Sequence, residues 1–250
     1  MIRLVILGAG TAIPIPGYSP AGHLVQIGTK PLLFDIGPGT LSRLAETGVD
    51  YRDLDSIFIT HHHSDHTLDL VTLIQAYDST PGWVRSVPLQ LVGGAGTAQF
   101  FEKLMAAYPG IGPNSYQLQV HEISQEKLVF PGWTVRSELT GHTSNSLGYR
   151  LEAEGKSIAF SGDAILTSGL VNLADQTDVF ICECSYPGNV APGDHLAAEQ
   201  VGRLAQKAGV KRLVLVHLYP PAREVDLLSQ IRKEYAGRVE VAFDGLTIVL

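Results

Sequence analysis

Residues 58–70 read FITHHHSDHTLDL. Four histidines and one aspartate occupy six consecutive positions, His61 to His66. An apolar run, 56–59, precedes them. A stretch over 68–77 follows, with Leu70, Leu73, Ile74 and Tyr77 at helical spacing. The segment therefore reads as strand, loop, helix, with the ionisable cluster on the loop at the strand's C-terminal end. In extended backbone His61, His63 and Asp65 tend to one side. Asp65 and His66 then meet the turn into the helix. Imidazoles and a carboxylate at this density repel protons and invite a divalent cation.

The same placement recurs downstream. His142 lies in TGHTSNSLGYR after a strand-like run over 133–138. Asp163 lies in AFSGDAI after 157–160, and His217 in RLVLVHLYP after 212–216. Each is an ionisable group at the C-terminal edge of an apolar strand, where open α/β sheets gather their sites. Glu183 stands near the end of another apolar strand, between Cys182 and Cys184, and a carboxylate there needs a partner.

Further strand-like runs cover 3–7, 23–27, 31–34, 89–92, 116–122, 147–152, 179–182, 239–242 and 246–250, most bounded by Gly, Pro, Asp or Ser. EAEGKS, 152–157, reads as a hairpin turn. Helical patterns cover 98–108, 195–208 and 224–235. No linker divides the chain, so residues 1–250 are read as one α/β domain: two sheets face to face with helices outside. No internal repeat is visible.

The formal net charge is −7, and the densest basic groups are only the pairs Lys211-Arg212 and Arg232-Lys233. A protein of long nucleic acid usually carries a basic stripe, so that partner is not expected. No run approaches the ~20 apolar residues of a membrane helix, and the N-terminal apolar run is too short for a signal-peptide core. A cytoplasmic location is expected. Cys182 and Cys184 share one face of a strand, where a disulfide between them is awkward. They read as small buried hydrophobes in a reducing compartment.

The pattern His-x-His-x-Asp-His with three later ligands resembles the metallo-β-lactamase superfamily. GHTSNSLGYR, FSGD, CECSYPG, GDHLAAEQVGRLA and LVHLYP make the chain most similar to its ribonuclease Z-like phosphodiesterase branch. The resemblance implies a four-layer αββα sandwich and two divalent ions, zinc first, with manganese, iron, cobalt or nickel as alternatives. It implies that His61, His63 and His142 hold one ion, that Asp65, His66 and His217 hold the other, and that Asp163 bridges them. His62 matches no ligand and reads as a spacer facing away; His23 and His121 read as structural.

The implied reaction is hydrolysis of a phosphodiester by a hydroxide shared between the ions, with Asp65 in the catalytic set. Two ions carry +4, while Asp65, Asp163 and the hydroxide carry −3. The residual charge near +1 suits a singly charged phosphodiester. The resemblance also implies that His195, at or near the start of the helix over 195–208, assists the phosphoryl oxygen or the leaving group. Glu183 would hold it through a hydrogen bond. Alternative readings are a ribonuclease Z-type tRNA 3′ endonuclease, a lactonase or β-lactamase, and a non-catalytic metal-bound sensor.

Ribonuclease Z enzymes that mature tRNA carry a long arm, which in bacterial short forms lies between the third histidine motif and the bridging aspartate. Here 21 positions separate His142 from Asp163, filled by a strand, a turn and a strand. No arm fits. A small or cyclic phosphodiester is the expected substrate, and a homodimer is a possible assembly. The entrance is expected to be lined by residues 77–87, 185–193 and 218–223; Trp83, Tyr186 and Tyr219 read equally as surfaces to stack on an aryl or nucleobase leaving group and as core or dimer contacts.

Overall fold

The computed structural model describes residues 1–250. The first sheet contains β1 (Ile2–Gly8), β2 (Gly22–Ile27), β3 (Lys30–Ile36), β4 (Ser56–Phe58), β5 (Leu89–Gly93) and β6 (Leu118–Glu122). The second contains β7 (Lys127–Phe130), β8 (Trp133–Leu139), β9 (Leu147–Ala153), β10 (Lys156–Phe160), β11 (Val179–Glu183), β12 (Arg212–Val216) and β13 (Arg238–Val241). The last strand, β14 (Thr247–Val249), returns to pair antiparallel with β1. Strand orders are β14-β1-β2-β3-β4-β5-β6 and β13-β12-β11-β10-β9-β8-β7.

The apolar alternation explains the layering. On β1, Ile2, Leu4 and Ile6 face the other sheet, while Val5 and Leu7 face outward. On β11, Val179 and Ile181 point inward, and Phe180 and Cys182 outward. The inner faces share one core of Phe34, Phe58, Trp133, Tyr149 and Phe160 with their aliphatic neighbours. The outer face of the first sheet is covered by α1 (Thr40–Glu46) and α3 (Asp69–Ser79), through Leu44, Leu70, Leu73, Ile74 and Tyr77. Between these two helices lies the single turn α2 (Ser64–Thr67), and α4 (Thr97–Ala106) follows β5. The second sheet's outer face is covered by α5 (Ser168–Ala174), α6 (Ala198–Ala208) and α8 (Leu227–Arg232), with the short α7 (Pro220–Arg223) between the last two. The result is the expected αββα sandwich. Both cysteines are free and buried in the outer layer of the second sheet.

The halves repeat one topology. β1, β2 and β3 form an antiparallel meander, and β4, β5 and β6 add in parallel. Strands β8, β9 and β10 form a second meander, and β11, β12 and β13 add in parallel. This repeat lies in strand order, which no residue pattern displays.

Several elements differ from the sequence reading. The helix expected over 195–208 begins at Ala198. Tyr186 pairs with Ala197 in an isolated bridge, which keeps the chain extended up to that point. His195 therefore sits on a loop. The pattern over 224–235 yields only Leu227–Arg232, because the Asp226 side chain caps a fresh helix by accepting from the Ser229 amide. The short elements β7, α1 and α5 carry too few periodic residues to be recognised.

Candidate metal centre

Positions 61, 142, 163 and 217 all lie on loops just beyond strand ends, as the alternation of strand and loop requires. After His63 the chain turns into α2, which swings Asp65 and His66 inward, and both are buried. Two glycines permit this approach. A Cβ on Gly37 would fall 1.9 Å from the Asp65 carbonyl oxygen. Gly162 has φ +56°, and a Cβ there would lie 2.7 Å from the Thr60 Cβ. The Gly37 contact seats α2 against the end of β3, and the Gly162 contact brings the two halves together at the site.

Asp163 is the centre of the arrangement. Its Oδ2 lies 3.7 Å from His61 Nε2 and 3.7 Å from His142 Nε2. Its Oδ1 lies 3.4 Å from His66 Nε2 and 3.5 Å from His217 Nε2. His142 Nε2 is 3.2 Å from His63 Nδ1, and Asp65 Oδ2 is 3.4 Å from His217 Nε2. The donors fall into two adjoining groups, His61, His63, His142 with Asp163, and Asp65, His66 with His217. The structure thus brings together all seven residues singled out from the sequence.

Three of these ligand atoms, His61 Nε2, His66 Nε2 and Asp163 Oδ1, are buried without a hydrogen-bond partner. Unpaired buried polar atoms are rare and costly, at about 1–3 kcal/mol each. Divalent cations would satisfy all of them at once, and the mixed nitrogen and carboxylate set suits zinc or another first-row metal. The residues fit such ions.

The charge state follows the same geometry. Burial depresses His61 far below the usual imidazole range, and His66 adds to this against the pull of Asp163. Burial also lowers the exposed-side His63, with His142 adding. For His66 burial opposes the charged ring, yet Asp163 and Asp35 hold it well above its ordinary value. Burial works to raise Asp163, but His217 and His66 hold its carboxyl well below the usual range.

The far nitrogens of the imidazoles are anchored in a repeating way. Asp35 Oδ2 is 2.8 Å from His66 Nδ1 and accepts from Thr60 Oγ1 at 2.9 Å, and that hydroxyl lies 3.1 Å from His61 Nδ1. Glu183 Oε1 is 3.1 Å from His195 Nδ1, and its Oε2 accepts from Ser185 Oγ at 2.5 Å. That second hydroxyl lies 3.2 Å from His217 Nδ1. Each buried carboxylate thus reaches one imidazole directly and a second through a hydroxyl. His142 Nδ1 donates to the Asp194 carbonyl at 2.9 Å. Four of the five metal-facing rings are thus anchored at Nδ1, which reserves Nε2 for the centre, while His63 faces it through Nδ1. Asp35 and His217 hold left-handed backbone, φ +60° and +56°, a strain that concentrates at functional sites. Asp35, Thr60, Ser185 and Asp194 escaped sequence reasoning.

Glu183 is fully buried and accepts two further bonds, from the Ala164 and Leu196 amides. His195 stands against the His142 and His217 rings, 4.8 and 5.5 Å between centroids. Burial pulls its imidazole down, but the Glu183 hydrogen bond and charge outweigh this, so the net shift is upward. Tyr219 packs edge-on to His195 at 5.3 Å, and Tyr186 lies 5.4 Å from Tyr219. Burial, with Asp163 and Asp65, pushes the Tyr219 hydroxyl up to about 12. Of its two readings Trp83 takes the core one, joining Tyr77 at 5.4 Å in the outer layer of the first sheet.

The remaining histidines are structural. His62 turns away, stacks on Phe100 at 4.6 Å and meets Thr97 Oγ1 at 2.9 Å. His23 is buried against Phe160, and burial with the nearby His66 lowers it to about 3. His121 pairs with Gln90 on the first sheet's exposed edge.

A model of the β-lactamase superfamily domain matches residues 31–218. Ribonuclease Z of Myxococcus xanthus is 26% identical, over 100% of this chain and 98% of that protein. The uncharacterised Mycobacterium tuberculosis protein Rv1339 is 31% identical, over 95% of this chain and 88% of its own. Among solved structures, the metallo-β-lactamase fold protein YhfI of Bacillus subtilis superposes with a TM-score of 0.86 at 22% identity, covering 99% of this chain and 98% of that one.

Proposed function

The chain belongs to the β-lactamase superfamily, as a ribonuclease Z-like metal-dependent hydrolase, and we propose that it is a dinuclear phosphodiesterase of small or cyclic phosphodiesters. One observation carries this reading. The Glu183–His195 pair is built into the rim of the metal centre, against His142 and His217.

In this reading His61, His63 and His142 would hold one ion and Asp65, His66 and His217 a second, with Asp163 available to both groups. Divalent ions held there, zinc foremost, supply Lewis acidity and hydroxide at neutral pH. The protein's own part is positional and acid–base. The carboxylate–imidazole network fixes which nitrogen of each ring is free. His195 keeps a proton on Nε2, and Glu183 on its far side stabilises the charged ring. That proton is delivered to the oxygen that leaves phosphorus.

Substrate size is inferred from the hairpin of β9 and β10, which fills the span between His142 and Asp163 and leaves no arm. The net charge of −7 supports the same inference. The full-length likeness to proteins called ribonuclease Z keeps a tRNA 3′ endonuclease as the second reading. No helix is long and apolar enough to cross a membrane, and two buried free thiols suit the cytoplasm.

The test uses protein loaded with each candidate metal. Its substrates are bis(p-nitrophenyl) phosphate, cyclic nucleotides, a lactone and a precursor tRNA. Phosphodiester hydrolysis is expected, with His195→Ala lowering kcat by about 10²–10⁴ at unchanged metal content. Activity confined to the lactone or to the tRNA refutes the reading.

A further inference from the structure

We propose that Tyr219, with Tyr186 beside it, forms the subsite for the leaving group, and that the Tyr219 hydroxyl donates a hydrogen bond to the departing oxygen. This rests on the phosphodiesterase reading and adds the leaving-group side of the reaction.

The Tyr219 hydroxyl lies 3.5 Å from His195 Nε2, the atom assigned to protonate the leaving group. At that distance a direct bond is at its limit, whereas an oxygen set to one side of the pair, off the line joining the two atoms, would lie in hydrogen-bond reach of both. The hydroxyl makes no other hydrogen bond. Its position is fixed from several directions. The Tyr219 amide donates to the Ser185 carbonyl at 3.2 Å. Pro220 and Pro221 follow and stiffen the backbone. The ring packs edge-on to both His195 and His217, at 89° and 65°. Tyr186 is held by a bridge to Ala197 and inclines 56° to Tyr219. Both tyrosines are only partly buried. They leave aromatic surface beside the acid, where the carbon body of a leaving group must lie. A planar aromatic body fits such a surface.

In the step itself, water adds to phosphorus and the P–O bond to the leaving group breaks with its electron pair on that oxygen. His195 Nε2 supplies its proton. The proton lost by water passes to solvent and His195 regains one. Tyr219 keeps its own proton and stabilises the negative charge as it develops.

The test compares wild type, Tyr219→Phe and Tyr186→Ala, all metal-loaded, on aryl phosphodiesters whose phenols range from nitrophenol to unsubstituted phenol. For Tyr219→Phe, kcat should change little with nitrophenol leaving and fall about 10- to 100-fold with phenol leaving, the worth of a hydrogen bond to a charged oxygen. Tyr186→Ala should raise KM for aryl esters more than for a methyl ester. A uniform loss across the series would make Tyr219 a mere prop for His195 and overturn the proposal. If wild type cleaves no phosphodiester, the proposed function fails and the subsite is judged by binding alone. Calorimetry should then give phenyl phosphate a tighter Kd than methyl phosphate in wild type and not in Tyr186→Ala. Equal affinities in wild type overturn the subsite.

Discussion

Replacing Ser185 with alanine tests the logic of the anchored imidazoles at one atom. The Ser185 hydroxyl has a single proton. Glu183 Oε2, at 2.5 Å, is the strongest acceptor in reach and takes it. The hydroxyl's lone pairs then face His217 Nδ1 at 3.2 Å, which must carry a proton to bond. His217 Nε2 is thereby left free toward Asp65 and Asp163. Without the hydroxyl, His217 Nδ1–H is buried and unpaired, a penalty of about 1–3 kcal/mol. The ring escapes by moving its proton to Nε2, where the carboxylates of Asp65 and Asp163 lie 3.4 and 3.5 Å away. A cation must reverse that choice, so affinity at the His217 position should fall about 10- to 100-fold. Competition against a chromophoric chelator resolves the two affinities. One should weaken by this amount and the other stay within about threefold, because its anchors, Thr60 on His61 and the Asp194 carbonyl on His142, are untouched. Ser185→Thr retains the hydroxyl and should recover most of the loss. If Ser185→Ala binds both ions as wild type does, the hydroxyl sets no tautomer and the reasoning fails.

Other outcomes follow from the same geometry. Gly162→Ala places a Cβ against Thr60 at a left-handed φ and should cost about 2–4 kcal/mol in denaturant unfolding. His62→Ala should cost only about 1 kcal/mol through the lost stacking on Phe100, with metal content unchanged by elemental analysis. Ion uptake should release protons, because His66 is held protonated above its ordinary pKa whereas burial keeps His61 and His63 neutral. Affinity should therefore rise with pH until the raised pKa of His66 is passed and level off above it. Calorimetry in buffers of different ionisation enthalpy counts the protons, and pH-independent affinity would contradict the assignment.

The residues of the candidate centre were legible because their segments follow apolar strands, and alternation fixes where such a strand ends. Glu183 was legible for a related reason: a carboxylate in line with Val179 and Ile181 must face inward and find a partner. The anchors were not. Thr60, Ser185 and Asp35 are small polar residues at strand ends, where turn chemistry alone would put them, and their roles depend on which neighbouring strand lies beside them. Trp83 stayed open between core and rim because aromatic residues near a loop serve either. The position of His195 just outside its helix depended on the bridge between Tyr186 and Ala197, a long-range pairing no periodicity encodes.

Neither half of the sandwich owns a complete set of ligands. The first half supplies His61, His63, Asp65 and His66, and the second supplies His142, Asp163 and His217. During synthesis the four early donors leave the ribosome long before His217 exists. An ion captured then would have at most two protein donors in either position and would exchange readily. Durable loading must wait until the sheets have closed on one another. In the proposed centre each ion would then cross-link the halves, beside the apolar core and hydrogen bonds such as those from the Leu147 amide to the Thr60 carbonyl and from the Tyr149 hydroxyl to the Ile59 carbonyl. A cell short of metal would therefore accumulate a closed but unriveted protein, its loss showing first as opening between the sheets and not as unravelling of either one.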